Sequence, residues 1–229
     1  GRINKGNGQF DTPTDFFETI IGAVGFANTI DVSTSPPPTA SIDVDLSADR
    51  LTLVGIPGGN ITINRQNFVN VTGTTLGDII KGDTGNNVLD GDRGADRLLG
   101  RAGADTLFGR SAADTLEGGS GADLLRGGRG NDVLIGGSGI DTLEGGSGAD
   151  IFVIKPLSGF DIITDFEVGI DKLDLSAFNF ATVQNAVAAG IVGGVNDSIP
   201  GFTFTLPRFG VTLVFKNRDL PLPITDIIV

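Results

Sequence analysis

From Gly73 to Val153 large apolar side chains recur at one fixed interval. Ile80, Leu89, Leu98, Leu107, Leu116, Leu125, Leu134, Leu143 and Phe152 stand nine residues apart. Two positions before each stands an acid or its amide: Asp78, Asn87, Asp96, Asp105, Asp114, Asp123, Asp132, Asp141 and Asp150. The first position of every unit is glycine, and the fourth is glycine in seven of nine units, with Leu76 and Ala112 in the other two. Nine units fill residues 73–153 without an insertion. Self-similarity at a fixed short period is the mark of a stacked repeat.

The register has a mechanical meaning. The last three residues of each unit predict a short extended piece, with position eight facing inward and its neighbours outward. The first six predict a turn, because left-handed backbone costs little only where there is no Cβ. One such unit cannot close on itself. Two units therefore make one coil, and alternate units stack into two parallel sheets. Stacked coils lie about 4.8 Å apart. That sets Asp78, Asp96, Asp114, Asp132 and Asp150 in one row and Asn87, Asp105, Asp123 and Asp141 in the other.

The flanks carry strand patterns. "SIDVDLSADRLTLVG" and "ITINRQNFVNVTGTTLGDIIKG" alternate apolar and polar residues as half-buried strands do, with the loop "STSPPPTAS" before them. Residues 16–27 predict a buried strand. Residues 1–72 are expected to extend or cap the solenoid, since a bare end would expose its core and its sheet edge. Downstream, Gly159-x-Asp161-x-Ile163 and Gly169-x-Asp171-x-Leu173 keep the spacing of two decayed units. Asp161 and Asp171 are thus candidates to end the two rows. "ATVQNAVAAG" (181–190) predicts a short helix with a glycine stop, and "GFTFTL" and "GVTLVF" predict strands.

Charge narrows the chemistry. With 28 acidic against 16 basic residues the net charge is -12, which disfavours nucleic acid and anionic membrane and favours cations. The chain has no His and no Cys, so no Ser-His-Asp triad, HExxH zinc site or Cys-His pair can be built. Any bound metal must be held by oxygen, which points to a hard cation such as calcium. Acidic pairs can in principle cleave sugars, but metal accounts for nearly all the array's aspartates, and no catalytic activity is expected. No apolar run reaches the ~18 residues of a membrane span. The stacked carboxylates repel by roughly 1 kcal/mol per pair in bulk water and more in a protein interior. One buried aliphatic side chain per nine residues falls short of the entropy lost in ordering them. Calcium between adjacent coils reverses that sign, because it takes about 6–8 oxygen ligands. Six arginines in and around the array (Arg93, Arg97, Arg101, Arg110, Arg126 and Arg129) are expected to offset charge on the outer face. Outward apolar residues Leu99, Phe108, Ile135 and Val153 are available for lateral packing.

Units starting at Gly118, Gly127, Gly136 and Gly145 match G-G-x-G-x-D-x-U-x at every defined position. The motif resembles the RTX, or hemolysin-type, calcium-binding repeat. That resemblance implies an all-β fold, a right-handed parallel β-roll, holding several calcium ions between adjacent coils. Carried over residue by residue, it implies carboxylate ligands at Asp105, Asp114, Asp123, Asp132, Asp141 and Asp150, with Asp78, Asp96, Asp161 and Asp171 as further candidates. It implies turn-carbonyl donors at Gly118, Gly121, Gly127, Gly130, Gly136, Gly139, Gly145 and Gly148. Asn87 lacks the charge, and Arg110 and Ala112 depart from the glycine pattern. Residues 158–178 resemble the segment following such repeats in serralysin-type proteases. The terminal Asp226-Ile227-Ile228-Val229 resembles a type I export signal.

Three regions follow: an N-terminal degenerate solenoid or cap (1–72), nine repeats (73–153), and a C-terminal β cap with a short helix and the export signal (154–229). The expected function is that of a secreted, extracellular or cell-surface, non-catalytic calcium-binding β-roll. It would fold on calcium after transient passage through a type I exporter, and take a structural, surface or matrix role. Self-association or a matrix polymer are its candidate partners, with no nucleic acid and no membrane span. The alternative is the export and folding module of a larger secreted protease, lipase, epimerase or adhesin. The absence of an initiator methionine fits a processed product or the tail of a longer chain.

Overall fold

A computed structural model describes residues 19–21, 28–31, 41–48, 50–54, 61–64, 68–181, 185, 191–193, 202–216 and 224–229. All but Ala181 and Asn185 of the helix expected over 181–190 lie outside these residues, as do most of the strand expected over 16–27 and all but Ser41 of the loop expected over 33–41.

The repeats form a β-solenoid. Each strand pairs in parallel with the strand eighteen residues on: Arg97 faces Thr115 and Thr115 faces Val133 in one sheet, while Val88 faces Thr106 and Thr106 faces Leu124 in the other. Two nine-residue units therefore make one coil, and alternate units build the two sheets. Ile80, Leu89, Leu98, Leu107, Leu116, Leu125, Leu134, Leu143 and Phe152 are all fully buried and stack as one column of core.

The extended stretch is longer than the three residues expected. Thr115–Gly121 and Val133–Gly139 run on through the glycines, pairing Gly119 with Gly137 and Gly121 with Gly139. Along such a strand every second residue faces inward, so positions six, eight and one share the interior while seven and nine face out. Asp, an aliphatic side chain and glycine thus line the inside together.

The ladders continue beyond the repeats at both ends. Asn28–Asp31 pairs in parallel with Phe68–Thr72, and Ser41–Asp45 with Ile79–Lys81. Ser41–Asp45 also pairs antiparallel with Arg50–Val54, which pairs with Ile61–Asn64. At the other end Thr142 faces Ile162 and Ile151 faces Lys172. Val211–Phe215 then adds in parallel to Gly159–Ile163, with Phe202–Leu206 and Ile191–Gly193 following as an antiparallel meander. Ile227–Ile228 forms the last rung on Lys172–Asp174. Phe166 closes the core there, 5.7 Å from the Phe152 ring and 5.5 Å from that of Phe215. No helix among the described residues is long and apolar enough to cross a membrane.

Candidate metal centre

Each position-six aspartate is inward-facing and at most 3% exposed from Asp78 to Asp171. One carboxylate oxygen is engaged across the coil boundary. Asp96 Oδ1 accepts the backbone N–H of Asp78 at 2.7 Å, Asp114 that of Asp96 at 2.8 Å, and Asp132 that of Asp114 at 2.8 Å. Asp150 continues the row from Asp132. In the other row Asp105, Asp123 and Asp141 accept from Asn87, Asp105 and Asp123. The side chain therefore replaces a backbone acceptor and binds each coil to the next.

The second oxygen is different. Oδ2 of Asp96, Asp105, Asp114, Asp123, Asp132, Asp141 and Asp150 is buried with no hydrogen-bond partner. Leaving an ionised acceptor in that state costs more than the bond itself would contribute. Burial accordingly pushes the Asp114 carboxyl up to about 7 and those of Asp105, Asp141 and Asp150 to about 6, with neighbouring row carboxylates adding to the rise. Asp96 is driven to about 9 by the same causes, and Asp123 and Asp132 are also raised by burial.

The orphaned oxygens border the missing side chains of the position-one glycines. A Cβ built on Gly100 would strike both Asp105 Oδ2 and the carbonyl oxygen of Gly118. Gly109 has the same relation to Asp114 and Gly127 O, Gly118 to Asp123 and Gly136 O, and Gly127 to Asp132 and Gly145 O. A carboxylate oxygen and a carbonyl oxygen from the next coil thus border one small space, repeated along each row. Position-four carbonyls are placed elsewhere: those of Gly121 and Gly130 face the vacant Cβ positions of Gly139 and Gly148.

This corrects the reason expected for glycine at position one. Left-handed backbone falls at positions two and four: Gly119, Gly128, Gly137 and Gly146, then Gly121, Gly130, Gly139 and Gly148. Position-one glycines are needed for clearance. Asp92, Arg101, Arg110 and Ala112 hold the left-handed conformation without being glycine, at φ 68°, 80°, 79° and 90°.

The ends of the rows are self-satisfied. Asp78 Oδ1 accepts the Ile42 N–H at 2.7 Å, and its Oδ2 accepts the Thr74 N–H at 2.6 Å with the Thr74 hydroxyl beside both. Asn87 accepts the Asp83 N–H through Oδ1 and donates Nδ2 to the Val69 carbonyl at 3.0 Å. Asp171 accepts from Asp150 N and Glu167 N. Asp161 continues the other row by accepting from Asp141 N at 3.3 Å, and burial raises it to about 7.

Two features had no signal in the motif. Thr74 completes the Asp78 carboxylate, and the buried Asp226 accepts from Gly169 N and from Lys172 Nζ, 2.8 and 2.9 Å away. Burial pushes the Asp226 carboxyl up, yet the Lys172 and Gly169 donors outweigh it and hold the group low. Of the arginines, Arg101 clamps Asp45 bidentately at 2.7 and 2.8 Å and Arg110 holds Asp90 at 2.6 Å.

Among the described residues no three acidic side chains converge on one point. A cation would be held instead by oxygens of two coils, one unpartnered carboxylate oxygen beside one carbonyl at each step. That donor set is all oxygen, anionic and buried, which suits calcium. Fold and site together define a parallel β-solenoid whose interior rows carry buried, unpartnered carboxylate oxygens. Its repeat block is made of RTX calcium-binding nonapeptide repeats: four copies of that family's repeat match, over residues 72–107, 99–134, 108–143 and 126–153. The repeats imply calcium binding. A comparison with curated proteins found no match.

Proposed function

We propose that this is a secreted, non-catalytic calcium-binding protein whose roll forms only when cations fill the two rows. The observation that carries this reading is the set of seven buried, unpartnered Oδ2 atoms from Asp96 to Asp150. Metal-free and ionised, the array must bury carboxylates that each have one unpartnered oxygen and no counter-charge, so the extended chain is favoured at neutral pH. When bound, calcium supplies the charge and the coordination these oxygens lack. Asp96, Asp105, Asp114, Asp123, Asp132, Asp141 and Asp150 would hold it, together with the carbonyls of Gly118, Gly127, Gly136 and Gly145.

Binding the folded but not the unfolded chain shifts the folding equilibrium by mass action. Low cytosolic calcium keeps the chain extended for a type I exporter, and extracellular calcium, on the order of 10⁻⁴–10⁻³ M for such modules, folds it outside. The outward role is structural, at a surface or in a matrix. The C-terminal Asp226–Val229 segment serves the exporter before folding and becomes the last rung of the sheet after it.

Circular dichroism against free calcium, with magnesium as control, tests the reading. β-Structure should appear with calcium and not with magnesium at the same concentration. Full β-structure in excess chelator at pH 7 would sink it.

A further inference from the structure

We propose that the outer face of one sheet carries a second site, for an organic anion: a ring bearing a carboxylate. It goes beyond calcium binding and lies outside the coil, away from the interior rows. The strand register brings Phe108 beside Arg126, Arg126 beside Glu144, and Ser111 beside Arg129. Arg110 faces Gly128, which has φ 111° and no side chain, so the surface drops between them. The result is a hollow of about 360 Å³ lined by Phe108, Arg110, Ser111, Arg126, Gly128 and Arg129, with the acidic Glu144 also in its wall, within the range of small-molecule sites, about 300–1,000 Å³.

Three arginines gather around one hollow in a chain whose net charge of -12 works against anion binding overall. Two of them are held in place. Arg110 binds Asp90 through Nη2 at 2.6 Å and lies 4.6 Å above the Phe108 ring. Arg126 places Nε 3.0 Å from Glu144 and its guanidinium 6.0 Å from the same ring. Arg129 is exposed, and none of the ion pairs among the described residues involves it. Structural charge balance accounts for Arg110 and Arg126 and leaves Arg129 unused.

Guanidinium groups fit carboxylates bidentately and stack on planar rings. A carboxylate meeting Arg129 and the remaining edge of Arg126 would place its ring over the Gly128 floor, against the Phe108–Arg110 stack. The ring can belong to an acidic sugar or to an aromatic acid.

The test uses the calcium-loaded full chain, with calorimetric titration of galacturonate trisaccharide and of benzoate against galactose trisaccharide and benzamide. Either acid should bind at least about tenfold more tightly than its uncharged counterpart, a difference of about 1.4 kcal/mol. R129E and R129Q should each lose that preference while retaining the calcium-induced dichroism of the parent. Binding of galacturonate alone identifies a saccharide site and of benzoate alone an aromatic-acid site. No binding by either acid, equal binding of charged and uncharged forms, or an unchanged preference in both variants overturns the proposal.

Discussion

The two ends of the aspartate rows and their middle are built from the same motif but solved differently. At the N-terminal end Asp78 spends both oxygens on Ile42 N, Thr74 N and the Thr74 hydroxyl, and Asn87 replaces the carboxylate with an amide that both donates and accepts. At the C-terminal end Asp171 is bonded by Asp150 N and Glu167 N. Between them, each aspartate from Asp96 to Asp150 has one oxygen engaged and one left over. The ends therefore hold without an added ion, while the middle is left incomplete by the protein alone. Folding coupled to metal, as proposed, needs such boundaries, because the terminal coils have a neighbour on one side only.

The largest way to break this contrast is to neutralise the carboxylates without metal. Burial raises the row aspartates, Asp105, Asp141 and Asp150 to about 6 and Asp114 to about 7. A group whose folded pKa is raised binds its proton more tightly in the roll than in the unfolded chain. Its stabilising contribution is fully present below the unfolded carboxylate pKa of 3.8, and is lost as pH climbs through about 6 to 7. In chelator, β-structure should therefore increase as pH falls from 7.5 to 4.5, and the calcium needed at pH 5.5 should exceed that at pH 7.5. Circular dichroism at fixed chelator gives the first measurement. Metal-free β-structure that is flat or falls with acid counts against the unpartnered row.

A single residue in each region sharpens the same comparison. Asp132→Ala removes one engaged and one orphaned oxygen from the middle. It should raise the calcium midpoint on the order of tenfold or more, since a charged ligand is lost. Asp78→Ala instead strands the Ile42 and Thr74 N–H groups, which costs about 1–3 kcal/mol whether or not calcium is present. Denaturant unfolding at two saturating calcium concentrations separates the two. A calcium-dependent penalty for Asp78→Ala would place it among the ligands.

Much of the fold was legible because the period does double duty. Nine-residue spacing gives the inward column from Ile80 to Phe152 and, doubled, the eighteen-residue register of both sheets. The rows of aspartates follow from that register alone. What stayed hidden depends on partners that the motif does not contain. Ile42 lies 36 residues before Asp78, so nothing inside the repeat shows that this aspartate is already satisfied. The invariant glycine at position one was legible as a glycine but not in its reason: the space for its Cβ is filled by a carboxylate five residues on and a carbonyl from the next coil, a tertiary fact. In sequence the ending Asp226-Ile227 resembles an export signal and nothing in it names a pairing partner; the pairing with Leu173 and the bond to Lys172 make it a rung. Arg126 and Phe108 are eighteen residues apart, so their meeting was implicit in the period, whereas the hollow beside them also required Gly128 opposite Arg110.

The smallest effect lies inside the repeats themselves, at a unit that breaks the glycine rule. Ala112 stands at position four with φ 90°, where its counterparts Gly103, Gly121, Gly130, Gly139 and Gly148 take the same hand without a Cβ. A left-handed alanine costs roughly 1–2 kcal/mol, while glycine adds entropy to the unfolded chain worth about 0.4–1 kcal/mol. The strain is the larger of the two, so Ala112→Gly should stabilise the calcium-loaded roll by up to about 1 kcal/mol. No carboxylate is touched, so the number of ions bound should not change. Thermal unfolding in saturating calcium reads the first quantity and calorimetric calcium titration the second. A destabilised variant would mean that Ala112 makes contacts outweighing its backbone strain, and that the departure from glycine in this unit is favourable.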